Sequence, residues 1–217
     1  MRYGADIQAY YVNAAFQPQF EFDEAKKLAN LIGAKMTVLE LDVLGNQTVL
    51  ENPHDRCYHC KLAIFGALVQ RAKSDGYPMI IDGTNASDDA SDRPGMKALT
   101  EMEVRSPLRE CSLTKDDIRR LSKEAGLFTW NKPSYACLAT RIPTGRAITA
   151  EILQKVEKAE DALFSFGFSD FRVRVYNDAA RLQFPQNQML EVVDKKDQII
   201  QALKPFFPII LLDMEGR

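Results

Sequence analysis

Cys137 lies between Lys132 and Arg141 in the stretch Trp130-Asn-Lys-Pro-Ser-Tyr-Ala-Cys-Leu-Ala-Thr-Arg-Ile-Pro-Thr-Gly145. Pro133, Pro143 and Gly145 forbid a continuous helix there, so the sequence predicts a shaped loop. Cationic neighbours stabilise a thiolate, the reactive form of cysteine. Cys137 is therefore a candidate nucleophile. The alternative is a small buried apolar side chain, a common state for cysteine.

Other residues carry chemistry at recognisable spacings. Cys57 and Cys60 have redox or metal-ligand spacing, and His54 and His59 stand beside them. No second close cysteine pair accompanies them, so the reading favoured is a helix N-terminus with ordinary thiols. Arg172 and Arg174 share one strand face, suited either to bidentate binding of phosphate or carboxylate or to a wet edge. Arg105 and Arg109 carry the same two readings. Glu157 and Glu160 sit on a helix, either as surface residues or as a base facing the arginines. Asp82, Gly83, Thr84 and Asn85 follow a short apolar run, where an open α/β sheet holds its ligands. Asp82, with Asp88, Asp89 and Asp92, could instead belong to a solvated acidic loop, and on these residues alone that is the favoured reading.

The elements that must position these residues alternate strand and helix. Residues 7–12 read as a strand. Asp23 caps a helix with Ala25, Leu28, Ala29 and Ile32 on one face, and Gly33 ends it. Residues 36–41 form the next strand. A loop with Gly45, Asn46 and Pro53 leads to Cys57, and a helix follows Cys60 to about Ser74. Residues 79–82 read as a short apolar strand. Thr114 and Asp117 make a capping box for a helix that stops at Gly126. Strand and helix in alternation predict a parallel α/β sheet. The pattern restarts after Gly145, which predicts domains over 1–145 and 146–217. In the second, Thr149 caps a helix, residues 171–175 and 181–184 pair around Asn177-Asp178, a helix spans about 187–203, and a strand ends the chain at 209–213. That part reads as a small α+β domain.

Composition narrows the class. The 217 residues are 46% hydrophobic and 27% charged, ordinary for a globular protein. A net charge of −2 gives no basic surface for nucleic acid or anionic lipid. No apolar run approaches the roughly 20 residues that span a bilayer. The N-terminus has no secretory apolar core, and four cysteines make no disulfide scaffold. A cytoplasmic protein is expected.

Several motifs fall in one order: Asn52-Pro, Asp55-Arg-Cys-Tyr-His-Cys-Lys61, Asp82-Gly-Thr-Asn85, Asp92-Arg-Pro-Gly95, Arg105-Ser-Pro-Leu108, Thr114-Lys, Trp130-Asn-Lys-Pro-Ser134, Cys137-Leu-Ala and Arg141-Ile-Pro. That order resembles the ATP-dependent sacrificial sulfur transferases, the LarE family, of the PP-loop superfamily. The resemblance implies a PP-loop (adenine nucleotide alpha hydrolase-like) parallel sheet followed by a small α+β domain. It implies ATP and Mg²⁺ as cofactors and a pyridinium dicarboxylate mononucleotide as substrate, in the building of the nickel-pincer nucleotide of lactate racemase.

In such enzymes the loop cysteine, matching Cys137, attacks the adenylylated carboxylate. Elimination then leaves its sulfur on the substrate and dehydroalanine in the chain. Some relatives hold an iron–sulfur cluster on three cysteines; only Cys137 is present in this loop. The resemblance puts Arg141 beside the reacting carboxylate and matches Glu160 to a residue of the acidic helix, where a carboxylate base is sought. It gives Arg172 and Arg174 the substrate phosphate, and counts Asp82, Gly83, Thr84, Asn85, Arg105 and Lys132 with the cofactor-binding set. Family members assemble as hexamers.

The chain departs from the family pattern in places. The Ser-Gly-Gly-x-Asp-Ser loop that cradles pyrophosphate is missing from it. The expectation is a sheet lacking its first strand, a mis-called start or a second polypeptide supplying the loop, and poor activation of substrate by this chain alone. Gln183 stands where relatives carry an acid, and Tyr176-Asn177 where they often carry His-Gly. The alternatives are another PP-loop enzyme, such as a tRNA thiolase or an amide-forming synthetase, and a non-catalytic subunit that binds nucleotide or metal.

Overall fold

A computed structural model describes residues 4–88 and 94–217. Asp89 and Asp92, named above in the acidic loop, lie outside the described residues, as does Arg93. The chain forms two compact units, Met1–Val49 with Pro53–Lys132 and Leu50–Asn52 with Pro133–Arg217. The division expected at 145/146 and the one found at 132/133 therefore differ. The loop carrying Cys137 goes with the second unit because its bonds do: Gly145 N–H donates to Asn52 O at 2.8 Å and Ile148 N–H to Leu50 O at 2.8 Å.

The first unit opens with β1 (Ala9–Asn13), α1 (Gln19–Ile32) and β2 (Met36–Glu40). β1 and β2 pair in parallel, from Ala9 against Met36 to Asn13 against Glu40. The connection through a helix is what parallel pairing demands. α1 begins at Gln19, about one turn before the expected Asp23, because Pro18 at its N-cap (φ −72°) leads the chain into the helix. Gly33 ends it at φ 67°, a left-handed value that glycine adopts cheaply. A short turn of helix, α2 (Gln47–Leu50), follows, started by Asn46 Oδ1 accepting the Val49 N–H. α3 (Arg56–Ser74) begins ahead of Cys57, so both cysteines of the pair lie inside it rather than before it.

α4 (Pro94–Glu101) lies against α3. Gly95 makes that approach possible, since a Cβ there would stand 3.0 Å from the Lys61 side chain. α5 (Pro107–Glu110) and α6 (Lys115–Glu124) complete the unit's helices. The predicted capping box of α6 forms: Thr114 Oγ1 accepts the Asp117 N–H, and Asp117 accepts the Thr114 N–H. The strand expected over 79–82 is a correction. Among the described residues it makes one parallel bridge, Ile81 to Arg105, and its other side is open. Met79 is 61% exposed in consequence. A cavity of about 630 Å³ runs between this segment and β1, with Ile7, Tyr10, Phe65 and Leu68 along it.

The second unit contains α7 (Ala150–Ser165), β3 (Arg172–Tyr176), β4 (Ala179–Gln183), α8 (Met189–Asp194), α9 (Lys196–Leu203) and β5 (Ile209–Leu212). β3 and β4 are antiparallel, and β4 and β5 parallel. Asn177 makes the hairpin turn at φ 51°, a backbone region asparagine tolerates. The helix expected over 187–203 is broken at Lys195 (φ −93°, ψ 11°) into α8 and α9. α7 packs on β3, burying Val156, Ala159, Leu163, Val173 and Val175. Alternation puts Arg172, Arg174 and Tyr176 on the opposite face of the sheet. The whole is a mixed α/β chain with one small parallel sheet and one mixed sheet.

Candidate functional site

Cys137 begins a 3₁₀ turn, Leu138–Arg141. Leu138 and Ala139 are buried and anchor it, while Cys137 is half-buried and outside any disulfide. The Cys137 carbonyl oxygen accepts from Thr140 N at 3.0 Å and Thr140 Oγ1 at 2.8 Å. Arg141 Nη1 also reaches it at 3.4 Å, and bonds Ala136 O at 2.7 Å. The turn is thus held through its carbonyls from the inside.

Arg141 and Glu160 are each 1% exposed and face one another. Arg141 Nε donates to Glu160 Oε1 at 2.9 Å and Nη2 to Oε2 at 3.1 Å, a two-pronged pair. Val173 N–H donates to Oε1 at 2.9 Å, and the Tyr135 hydroxyl donates to Oε2. Four donors therefore meet the roughly four lone-pair sites of this carboxylate. A buried charge pair of this kind survives only when both partners are satisfied. As arranged, both Glu160 oxygens are engaged and the Arg141 guanidinium is buried. In this arrangement Glu160 holds Arg141, and Arg141 holds the carbonyls of the Cys137 turn.

Tyr135 completes the cluster. Its ring stands 4.5 Å from the Arg141 guanidinium and 5.2 Å from that of Arg172. Burial, then the Glu160 charge, pushes its phenol well above the ordinary range. Arg172 is 5% exposed. Its guanidinium donates to Ser134 O and Phe171 O, each at 2.5 Å. Arg174 donates to Thr140 O at 2.9 Å and to Gln183 Oε1. Burial, then the nearby Arg141 charge, lowers both arginines from their ordinary value. Gln183 in turn donates to Asp213 Oδ2 at 2.7 Å, so the neighbouring β5 end supplies a carboxylate beside Gln183.

Cys137, Arg141, Glu160, Arg172 and Arg174 thus come together in the second unit. Asp82, Gly83, Thr84, Asn85, Arg105 and Lys132 belong to the first. Asp82 organises its turn: Oδ2 accepts from Thr84 Oγ1 at 2.5 Å and Oδ1 from Ser106 Oγ at 2.7 Å. Asn85 N–H is capped by Asp88 Oδ2 at 3.0 Å. A Cβ on Gly83 would meet nothing within 4 Å, so the turn has open space beside it. The Arg105 side chain turns away to Glu110. Lys132 is held by Glu21 at 3.2 Å and by Glu24.

In α3, the Arg56 guanidinium contacts Cys57 Sγ at 3.7 Å, and His59 faces Asp55 at 3.2 Å. Among the described residues no group of three or more His, Cys, Asp or Glu side chains gathers as a metal site. Among the described residues no helix is long and apolar enough to cross a membrane.

Tyr135 and Ser106 were the residues sequence reasoning missed. Tyr135 had a usable signal, an aromatic two places from the cysteine; Ser106 had one as the N-cap of Pro107. Neither signal says where the hydroxyl points.

A scan against protein-family models finds no match. The chain is similar to an uncharacterised protein of Synechocystis sp., 35% identical over 199 residues, covering 90% of this chain and 74% of that protein. It is similar to the pyridinium-3,5-bisthiocarboxylic acid mononucleotide synthase of Lactiplantibacillus plantarum, 32% identical over 212 residues, covering 97% and 77%. An uncharacterised protein of Methanocaldococcus jannaschii is 31% identical over 186 residues, covering 85% and 73%.

Proposed function

The chain belongs to the family of pyridinium-3,5-bisthiocarboxylic acid mononucleotide synthases, the LarE family, and from that membership we propose that it is a sacrificial sulfur transferase. Its substrate is a pyridinium dicarboxylate mononucleotide, a precursor of the nickel-pincer nucleotide, and its sulfur comes from Cys137. The observation that carries this reading is a half-buried cysteine on a turn pinned by a fully buried arginine–glutamate pair. A nucleophile held at a fixed angle is what acyl transfer needs.

Bound ATP supplies the activation that makes the substrate carboxylate an acyl donor. The Cys137 thiolate attacks that carbonyl carbon, forming a thioester as the activating group leaves. A base removes the Cys137 Cα proton, the electron pair forms the Cα–Cβ double bond, and the Cβ–Sγ bond breaks. The sulfur departs as the substrate's thiocarboxylate, and residue 137 becomes dehydroalanine. Arg141 holds the Ala136 and Cys137 carbonyls, and Glu160 holds Arg141. Arg172 and Arg174 supply positive charge on the sheet face beside the turn, for the substrate phosphate. Asp82, Thr84 and Asn85 form the turn for the nucleotide.

We further propose a homo-oligomer, tested by light scattering of the eluted protein. The deciding experiment is intact-protein mass spectrometry after incubation with ATP, Mg²⁺ and the mononucleotide, with and without an added phosphate-loop fragment. Loss of the mass of H₂S, mapped to position 137 and abolished in Cys137→Ala, supports the reading. Folded protein that keeps its mass in both conditions overturns it.

A further inference from the structure

Tyr135 is one place from Ala136 and two from Cys137, and it is tied to three charged groups of the cluster, Glu160, Arg141 and Arg172. Its hydroxyl donates to Glu160, and its ring lies beside the guanidiniums of Arg141 and Arg172. An aromatic face is the negative end of the ring quadrupole and attracts a cation. One ring touching two like charges offsets the repulsion between them. The same two arginines grip the backbone on either side of the tyrosine: Arg172 bonds Ser134 O, and Arg141 bonds Ala136 O and Cys137 O. The segment 134–137 is therefore clasped at three carbonyls by the two cations that flank the Tyr135 ring.

Glu160 needs this hydroxyl. Arg141 supplies two of its donors and Val173 a third, and Tyr135 supplies the fourth. Without it a buried carboxylate keeps an unmet acceptor, which is more costly than a hydrogen bond never formed.

We propose that Tyr135 is a positioning residue for Cys137: its hydroxyl completes the donor set of Glu160, and its ring couples Arg141 to Arg172. Together these hold the 134–137 backbone and set the direction of the Cys137 thiol. Its effect on turnover rests on the sulfur-transfer reading; its effect on the thiol does not.

The test uses the full chain carrying Tyr135→Phe, which keeps the ring and removes the hydroxyl, and Tyr135→Leu, which removes both. All proteins are compared at a temperature where circular dichroism shows each fully folded. Alkylation of Cys137 by iodoacetamide, read by peptide mass, is expected to quicken roughly fivefold in Tyr135→Phe, the factor one net hydrogen bond represents. It quickens further in Tyr135→Leu. In the sulfur-loss assay the maximal rate falls in Tyr135→Phe while the half-saturating concentration of mononucleotide is unchanged. Loss of overall stability alone would not produce that split. Should Tyr135→Leu fail to fold, Tyr135→Phe decides. Alkylation of Tyr135→Phe at the wild-type rate overturns the proposal. A wild-type chain that loses no sulfur overturns the enzymatic reading, while the alkylation comparison still decides the role of Tyr135.

Discussion

Arg141 is the most consequential buried side chain in the second unit, because it serves a charge and a backbone at once. It pairs with Glu160 through two nitrogens and grips the carbonyls that precede the turn. Glu160→Gln removes the compensating charge and leaves a guanidinium in the interior. A broken buried pair of this kind costs about 3–5 kcal/mol, so the urea midpoint of Glu160→Gln is expected well below that of the wild type. Arg141→Lys keeps the charge but loses the fork. It is expected to be destabilised and to expose Cys137 to alkylation, measured by the same thiol labelling. An unchanged midpoint for both variants would show that the pair carries no net stability. At this scale Cys137 was legible in the sequence as a cysteine in a loop. Its cationic neighbours were not: Lys132 turns to Glu21 and Glu24, and Arg141 meets Cys137 through its carbonyl.

Elements differ in how far their cause is local. α6 is specified within four residues, since Thr114 and Asp117 cap one another. Thr114→Ala is expected to cost about 1 kcal/mol, the usual loss for a removed N-cap, checked by urea titration of the first unit's unfolding. Asn52 is specified from far away. It is 1% exposed, sits at φ 56°, and donates from Nδ2 to Pro143 O at 2.8 Å. Asn52→Ala loses that bond and puts at a left-handed position a residue that tolerates it less well than asparagine. The expected cost is about 2 kcal/mol from the lost hydrogen bond and the strain together, seen as a lower thermal midpoint and faster exchange of the Gly145 amide. The apolar run 79–82 reads as a strand on composition. A strand needs partners on its edges, and the run bridges only Arg105 among the described residues.

For the whole molecule, tyrosines couple stability to alkaline pH. Burial pushes Tyr11 up to about 12 from its ordinary 10.0. Burial and a hydrogen bond to Asp75 push Tyr10 up to about 12. Burial raises Tyr135 as well, in the other unit. A group whose folded pKa is raised holds its proton more tightly in the folded chain. Its contribution is complete below the unfolded value and is lost as pH rises through the folded one. Stability is therefore expected to decline between about pH 10 and pH 12, following the raised tyrosines. Urea melts read by circular dichroism, with tyrosinate absorbance alongside, check this. A midpoint flat across that window would show that these phenols titrate as they do in the unfolded chain.

The sequence by itself determined the features with short-range causes. The α/β alternation, the capping box of α6, the helix after Thr149 and the hairpin around Asn177 all follow from neighbours a few residues apart. The order of its motifs was enough to point to the family. Tertiary structure decided which side chains are held and which stand open. Arg141 and Glu160 are 19 positions apart, and Arg172 reaches Ser134 across 38. A hydrogen bond in the interior depends on direction and distance, and on the absence of water to replace it. Residue types at a spacing carry none of those quantities. The same carboxylate is one acidic residue on a helix in the sequence and the meeting point of four donors in the fold.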